Sequence, residues 1–142
     1  MIFKSTNDIE TMLRDGKQKI INILIDIVSN KNNKYSCEKV YVDSPTSNKF
    51  YFDLRLNDIK DFTFEIQKTK ENLSKKNIVT YIVTIKDPSD NVIVEIKSIS
   101  INDKLIDSFG VNNIYNLLDT KFNEIESRDE NIKVINILNK LK

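Results

Sequence analysis

The sequence predicts an α+β fold: an antiparallel sheet of four or five strands, preceded by one helix and followed by one or two C-terminal helices, in two-layer packing. Three observations lead there. An amphipathic helical pattern opens the chain. Alternating, β-branched segments separated by turn residues fill its middle. Apolar residues spaced three and four apart return after Gly110. Strands and long helices do not alternate, so a doubly wound parallel sheet is not expected. No repeat or linker divides the 142 residues, which are read as one domain over residues 1–142.

The first helix is expected from about Asn7 to Val28. Ser5 suits its cap, with Asp8 completing a capping box. Ile9, Leu13, Ile20, Leu24 and Ile27 share one face, and Gly16 falls on it. That glycine is read either as a tolerated one or as the site of a close crossing. The segment IINILIDIV, Ile20–Val28, is apolar almost all round. Ile21, Ile25 and Val28 lie about 100° from the main stripe, more surface than one sheet face covers. The C-terminal helix, through Tyr115, Leu118 and Phe122, a second copy of the chain or a different protein is expected to cover them. In the last two cases they stand partly exposed in the monomer.

Strand patterns follow. Cys37, Lys39 and Tyr41 alternate with Glu38, Val40 and Val42, and DSPTSNK, Asp43–Lys49, is the strongest turn signal. Phe50, Phe52, Leu54 and Leu56 alternate with Tyr51, Asp53 and Arg55, as in a sheet with one buried and one wetter face. Phe62, Phe64 and Ile66 indicate a short strand. The polar QKTKENLSKKN after it reads as a loop or a helical turn, with an amphipathic helix across Leu56–Asn77 as the competing reading. Asn77–Lys86 and Val92–Ile101, joined by Asp87-Pro88-Ser89-Asp90-Asn91, form the clearest hairpin. Val111, Ile114, Tyr115, Leu118, Phe122 and Ile125 then mark a helix. Ser127 and Glu130 are a possible capping box for a further short helix carrying Ile132, Ile135, Leu138 and Leu141.

Composition narrows the function. The 22 basic and 21 acidic residues nearly cancel, and only Arg14, Arg55 and Arg128 are arginines, so the basic excess of a duplex binder is missing. With no histidine and only Cys37, histidine triads, histidine zinc sites and cysteine clusters are ruled out within one chain. Two isolated glycines, Gly16 and Gly110, make no phosphate-cradling loop. No cofactor is expected, and the protein is read as a non-enzyme. A lone thiol and the lack of a signal-peptide pattern in MIFKSTNDIE indicate the cytoplasm, and no segment is apolar enough to enter a membrane.

Cys37 is read as structural. Of the acidic candidates Asp43, Asp53, Asp87, Asp90 and Asp103, Asp87 and Asp90 suit a turn, and Asp53 beside Arg55 suits a solvated sheet face. Lys68, Lys70, Lys75 and Lys76 cluster without interleaved aromatics, which leaves nucleic acid an unfavoured partner. Tyr41 and Tyr51, if paired across the first hairpin, would join Asp53 and Arg55 in a mixed patch typical of protein interfaces. The segment YIVTIKDPSDNVIVEIKSISI, Tyr81–Ile101, resembles the central hairpin of bacterial export chaperones that hold unfolded chains, and sheet followed by C-terminal helices is their order too. The N-terminal helix departs from that pattern. The expected function is therefore a protein–protein interaction protein, a binder, inhibitor or adaptor acting on another protein or on a second copy of itself. The resemblance implies an alternative, a chaperone or carrier for apolar ligands or unfolded chains. A metal-dependent nuclease or nucleic-acid binder built from dispersed Asp and Lys residues is a further one.

Overall fold

The computed structural model describes residues 6–30, 34–42, 49–107 and 109–142. Element order is α1 (Thr6–Ser29), β1 (Tyr35–Val42), β2 (Lys49–Leu56), β3 (Ile59–Leu73), β4 (Lys76–Lys86), β5 (Val92–Ile101), β6 (Lys104–Asp107) and α2 (Val111–Leu141). The cap proposed at Ser5 and the turn residues Asp43–Asn48 lie outside the described residues.

The six strands of the described residues form one sheet in chain order, each antiparallel to the next. The expected α+β architecture holds, with helices from both ends of the chain on the Phe52/Leu54/Leu56 face. Two turns explain how the sheet grew beyond the four or five expected strands. Ser74 and Lys75 link β3 to β4 with φ of 48° and 65°, and Asn102 and Asp103 link β5 to β6 with 51° and 67°. Two successive positive φ values give the twist that suits a two-residue hairpin. The polar segment after Ile66 is therefore neither loop nor helix. It continues β3 out to Leu73, paired residue by residue with β4 as far as Lys76. The missed β6 has four residues, too few to show alternation.

The core sits between the sheet and the two helices. Phe52, Leu54, Phe64, Ile66, Val83 and Ile96 meet Ile21, Leu24 and Val28 of α1 and Val111, Ile114 and Leu118 of α2. The helices lie side by side and run the same way. The Gln18 amide donates to the Phe109 carbonyl (2.8 Å), at the start of α2. Ten residues further along α1, the Lys121 ammonium donates to the Val28 carbonyl and to the Tyr35 hydroxyl, the latter at 2.8 Å. The shared stretch is thus about 15 Å long at 1.5 Å per residue. Lys121 also places a cation at the C-terminus of α1, where the helix dipole favours it.

This arrangement decides between the covers expected for α1 in favour of the C-terminal helix. Ile21 and Val28 are completely buried and Ile25 is half-buried, so they do not form a surface left for another chain. α1 lies in the angle between the sheet and α2, which covers two of its faces. Conversely Ile9 and Leu13, expected in the core, are exposed because the first turns of α1 reach past that shared stretch. Nothing lies within 4 Å of where a Gly16 side chain would point, so no close crossing explains that glycine.

α2 is one continuous helix of 31 residues. Its Glu126–Glu130 stretch stays helical, and the Ser127/Glu130 pair opens no new element. The stretch contains no glycine or proline that would stop the helix there. At its start, Gly110 takes φ 92°, and the buried Ser98 hydroxyl on β5 accepts the Phe109 and Val111 amides, each at 3.2 Å. A side chain from the sheet thus does the work of a helix cap.

Candidate interaction surfaces

The strand register decides which predicted site residues meet. Tyr41 pairs with Phe50, and Tyr51 pairs with Val40. Directly paired residues share a face, so Tyr41 belongs to the helix-bearing face and Tyr51 to the open one. The patch proposed from Tyr41, Tyr51, Asp53 and Arg55 is therefore split between two sides of the sheet. Tyr41 stands at the edge strand, 63% exposed, its ring 6.0 Å from that of Phe50. The Lys39 ammonium lies 4.1 Å from the centre of the Phe50 ring.

On the open face the register aligns a row of carboxylates invisible in the linear sequence. Glu38 pairs with Asp53, Asp53 with Glu65, Glu65 with Thr84 and Thr84 with Glu95. Like charges directly opposite repel, and a neighbouring set of cations offsets this. Arg55 reaches Asp53 at 3.4 Å, Lys86 reaches Glu65 at 2.9 Å and Lys97 reaches Glu95 at 3.7 Å. The Glu65 hydrogen bond is the main reason the Lys86 ammonium is held above its ordinary pKa. Among the described residues no three carboxylates or thiols are placed to hold a metal ion.

The other candidates fall into structural roles. The Asp87 carboxylate accepts the Ser89 and Asn91 amides at 3.0 and 2.9 Å, and those bonds hold it below its ordinary pKa. Asp90 pairs with Lys86 at 3.3 Å. Burial, reinforced by Asp53 and Glu38, pushes the Cys37 thiol up to about 12, so it is not a nucleophile near neutral pH. The four lysines do not form one surface. Lys68 and Lys70 line a cavity of about 280 Å³ with Tyr81 and Asp103 on the helix-bearing side, Lys75 is in the turn, and Lys76 shares the open face.

Two apolar surfaces stand out among the described residues. The first is a cleft of about 300 Å³ between α1 and one end of the sheet. Ile20, Ile23, Leu24, Ile59, Phe62 and Ile93 are among its walls, and no polar residue lines it. The second is larger. Every residue of α2 from Asn123 onward is exposed. Ile125, Ile132, Val134, Ile135, Ile137, Leu138 and Leu141 are all close to or above half exposure, Leu141 reaching 77%. Val111, Ile114, Leu118 and Phe122 form the stripe that seats α2 on the sheet. At 100° per residue, Val134, Ile137, Leu138 and Leu141 point roughly 130° away from it. The apolar arc of Ile132–Leu141 spans roughly 220°, far more than the stripe that one covered face requires. Reading Ile132, Ile135, Leu138 and Leu141 as a separate helix hid this change of face. The signal was in the spacing, but only a continuous helix gives it direction.

No described helix is long and apolar enough to cross a membrane. No protein-family model matches the chain, no curated protein matches it, and no solved structure matches its fold.

Proposed function

We propose that the protein is a non-enzymatic interaction module, a binder, inhibitor or adaptor, and that it acts through the projecting half of α2. The observation that carries this reading is the uncovered apolar helix from Asn123 to Leu141. Full burial of one large aliphatic side chain contributes about 1.5–3 kcal/mol, so even partial cover of seven such residues supports a stable complex. Exposed apolar surface of this extent on an otherwise charged molecule marks an association site. The lone, half-buried Cys37 supports a reducing compartment such as the cytoplasm.

The test is the double substitution Ile135→Glu with Leu138→Glu. Both residues are exposed, so the helix content and melting temperature of the folded body are expected to stay unchanged. Chemical crosslinking and co-purification are expected to lose every species that the wild type retains. A variant that keeps the same associations would refute the reading.

The apolar cleft beside Ile23 and Phe62 favours a second reading, a carrier of small apolar ligands. Its volume is at the lower end for ligand sites. An environment-sensitive dye that binds the wild type and not Ile23→Glu would support the carrier, and equal fluorescence from both proteins would remove it.

A further inference from the structure

We infer that the occupant of the projecting half of α2 is a second copy of the same helix, packed antiparallel about a two-fold axis near Ile132. This rests on the interaction reading above and adds the identity of the partner.

Charge distribution carries the argument. Residues 123–131 contain Glu124, Glu126, Asp129 and Glu130 against Arg128 alone. Residues 132–142 contain Lys133, Lys140 and Lys142 and no carboxylate. Two copies laid parallel set acidic half beside acidic half and basic beside basic. Laid antiparallel, each acidic half lies along a basic half, twice in the same dimer. Ile132 is the midpoint of Asn123–Leu141, so full overlap puts the axis there. Ile125, Ile132 and Ile135, spaced seven and three apart, then lie along a helix–helix seam that also carries Arg128 and Asn139. The contact is isologous and closes on itself, leaving no open end for further copies.

The same geometry accounts for the width of the apolar arc. With the axis at Ile132, Leu141 of the second copy lies level with Asn123, one residue past Phe122. Phe122 packs on Phe52 at 5.3 Å, Phe52 on Phe50 at 5.6 Å, and Phe50 on Tyr41 at 6.0 Å. The apolar end of each α2 therefore returns to the body of the other copy, beside the β1 edge. There Tyr41 is exposed, at 63%. The seam takes one side of the arc, and the β1 edge takes Leu138 and Leu141.

Sedimentation of the full chain from low to high micromolar concentration tests the inference. The expected result is a reversible dimer that high salt weakens. Ile132→Glu, which places two carboxylates at the axis, is expected to weaken it by roughly a hundredfold or more, with the melting of the body unchanged. In a Cys37→Ala background, Ile132→Cys is expected to form an intermolecular disulfide under mild oxidation. Leu141→Cys is not, because antiparallel helices hold the two Leu141 positions at opposite ends. A disulfide through Leu141→Cys as fast as through Ile132→Cys would make the helices parallel and overturn the arrangement. A dimer indifferent to Ile132→Glu would put the interface elsewhere and overturn it too. A wild type that stays monomeric, yet loses a co-purifying protein in the Ile135→Glu/Leu138→Glu variant, would overturn the second copy as occupant and leave the interaction reading standing. A monomer that retains nothing would defeat both.

Discussion

Burial holds the Cys37 thiol protonated in the fold up to about 12, against an ordinary value of 9.0. Tyr115, raised first by burial and then by Asp119 and Tyr81, also reaches about 12 from 10.0. In both cases the unfolded chain gives up its proton first. The associated stability is fully present below the unfolded pKa and is lost as pH rises through the folded one. Unfolding midpoints in urea are expected to fall between pH 9 and 12. Cys37→Val is expected to flatten the part between 9 and 10, and an unchanged slope there would show that the thiol is not responsible. Ser98 is the other residue whose position matters more than its type. Its hydroxyl accepts two amides at the start of α2 while completely buried. Ser98→Ala leaves those donors unsatisfied and is expected to cost about 1–3 kcal/mol, readable as a lower urea midpoint. The structural roles of Cys37 and Asp87 were legible from their flanking residues. The role of Ser98 was not, because its two donors come from residues 11 and 13 positions away.

At the scale of elements, local chemistry announced the β4–β5 hairpin and hid the β3–β4 one. Asp87-Pro88-Ser89-Asp90-Asn91 is rich in turn formers. Ser74 and Lys75 include neither glycine nor asparagine, yet both take positive φ. The pairing of Asn72, Leu73 and their neighbours with β4 imposes that conformation. A residue so placed is strained unless it is glycine or asparagine. The pair Ser74→Asn and Lys75→Gly is expected to raise stability by about 1 kcal/mol. A loss would show that the side chains there contribute more than the backbone strain removes. Gly16 permits a similar test on a helix. It is within α1 with open space where a side chain would go, so Gly16→Ala is expected to stabilise by about 0.5–1 kcal/mol in chemical denaturation.

For the molecule as a whole, the two halves of α2 differ in what they support. Leu118 is 1% exposed in the core, and Leu118→Ala is expected to cost about 2–5 kcal/mol of folding stability. Ile137 is 57% exposed, and Ile137→Glu is expected to change the unfolding midpoint of dilute protein by less than about 0.5 kcal/mol. If Ile137→Glu unfolded dilute protein as readily as Leu118→Ala, the projecting half would have to be packed on its own body. The open sheet face adds a second property of the whole. Its carboxylate row and flanking cations span β1 to β5, so its charges nearly cancel locally as they do overall. A surface of that kind has no strong field to steer a charged ligand.

Residue types and their spacing were enough to read the class of fold, the clearest hairpin, the buried face of β2 and the chemistries closed to a chain without histidine. Each follows from residue type or from the periods of helix and strand, which act over a few neighbours. Tertiary structure alone decided which side of the sheet Tyr41 takes, where the Glu38/Asp53/Glu65/Glu95 row forms, that α2 shelters Ile21 and Val28, and that the same helix then runs on uncovered. Those outcomes depend on strand register and on the relative placement of two helices. A one-residue slip in register moves a whole strand's side chains to the other face, and only the pairing of distant segments fixes it.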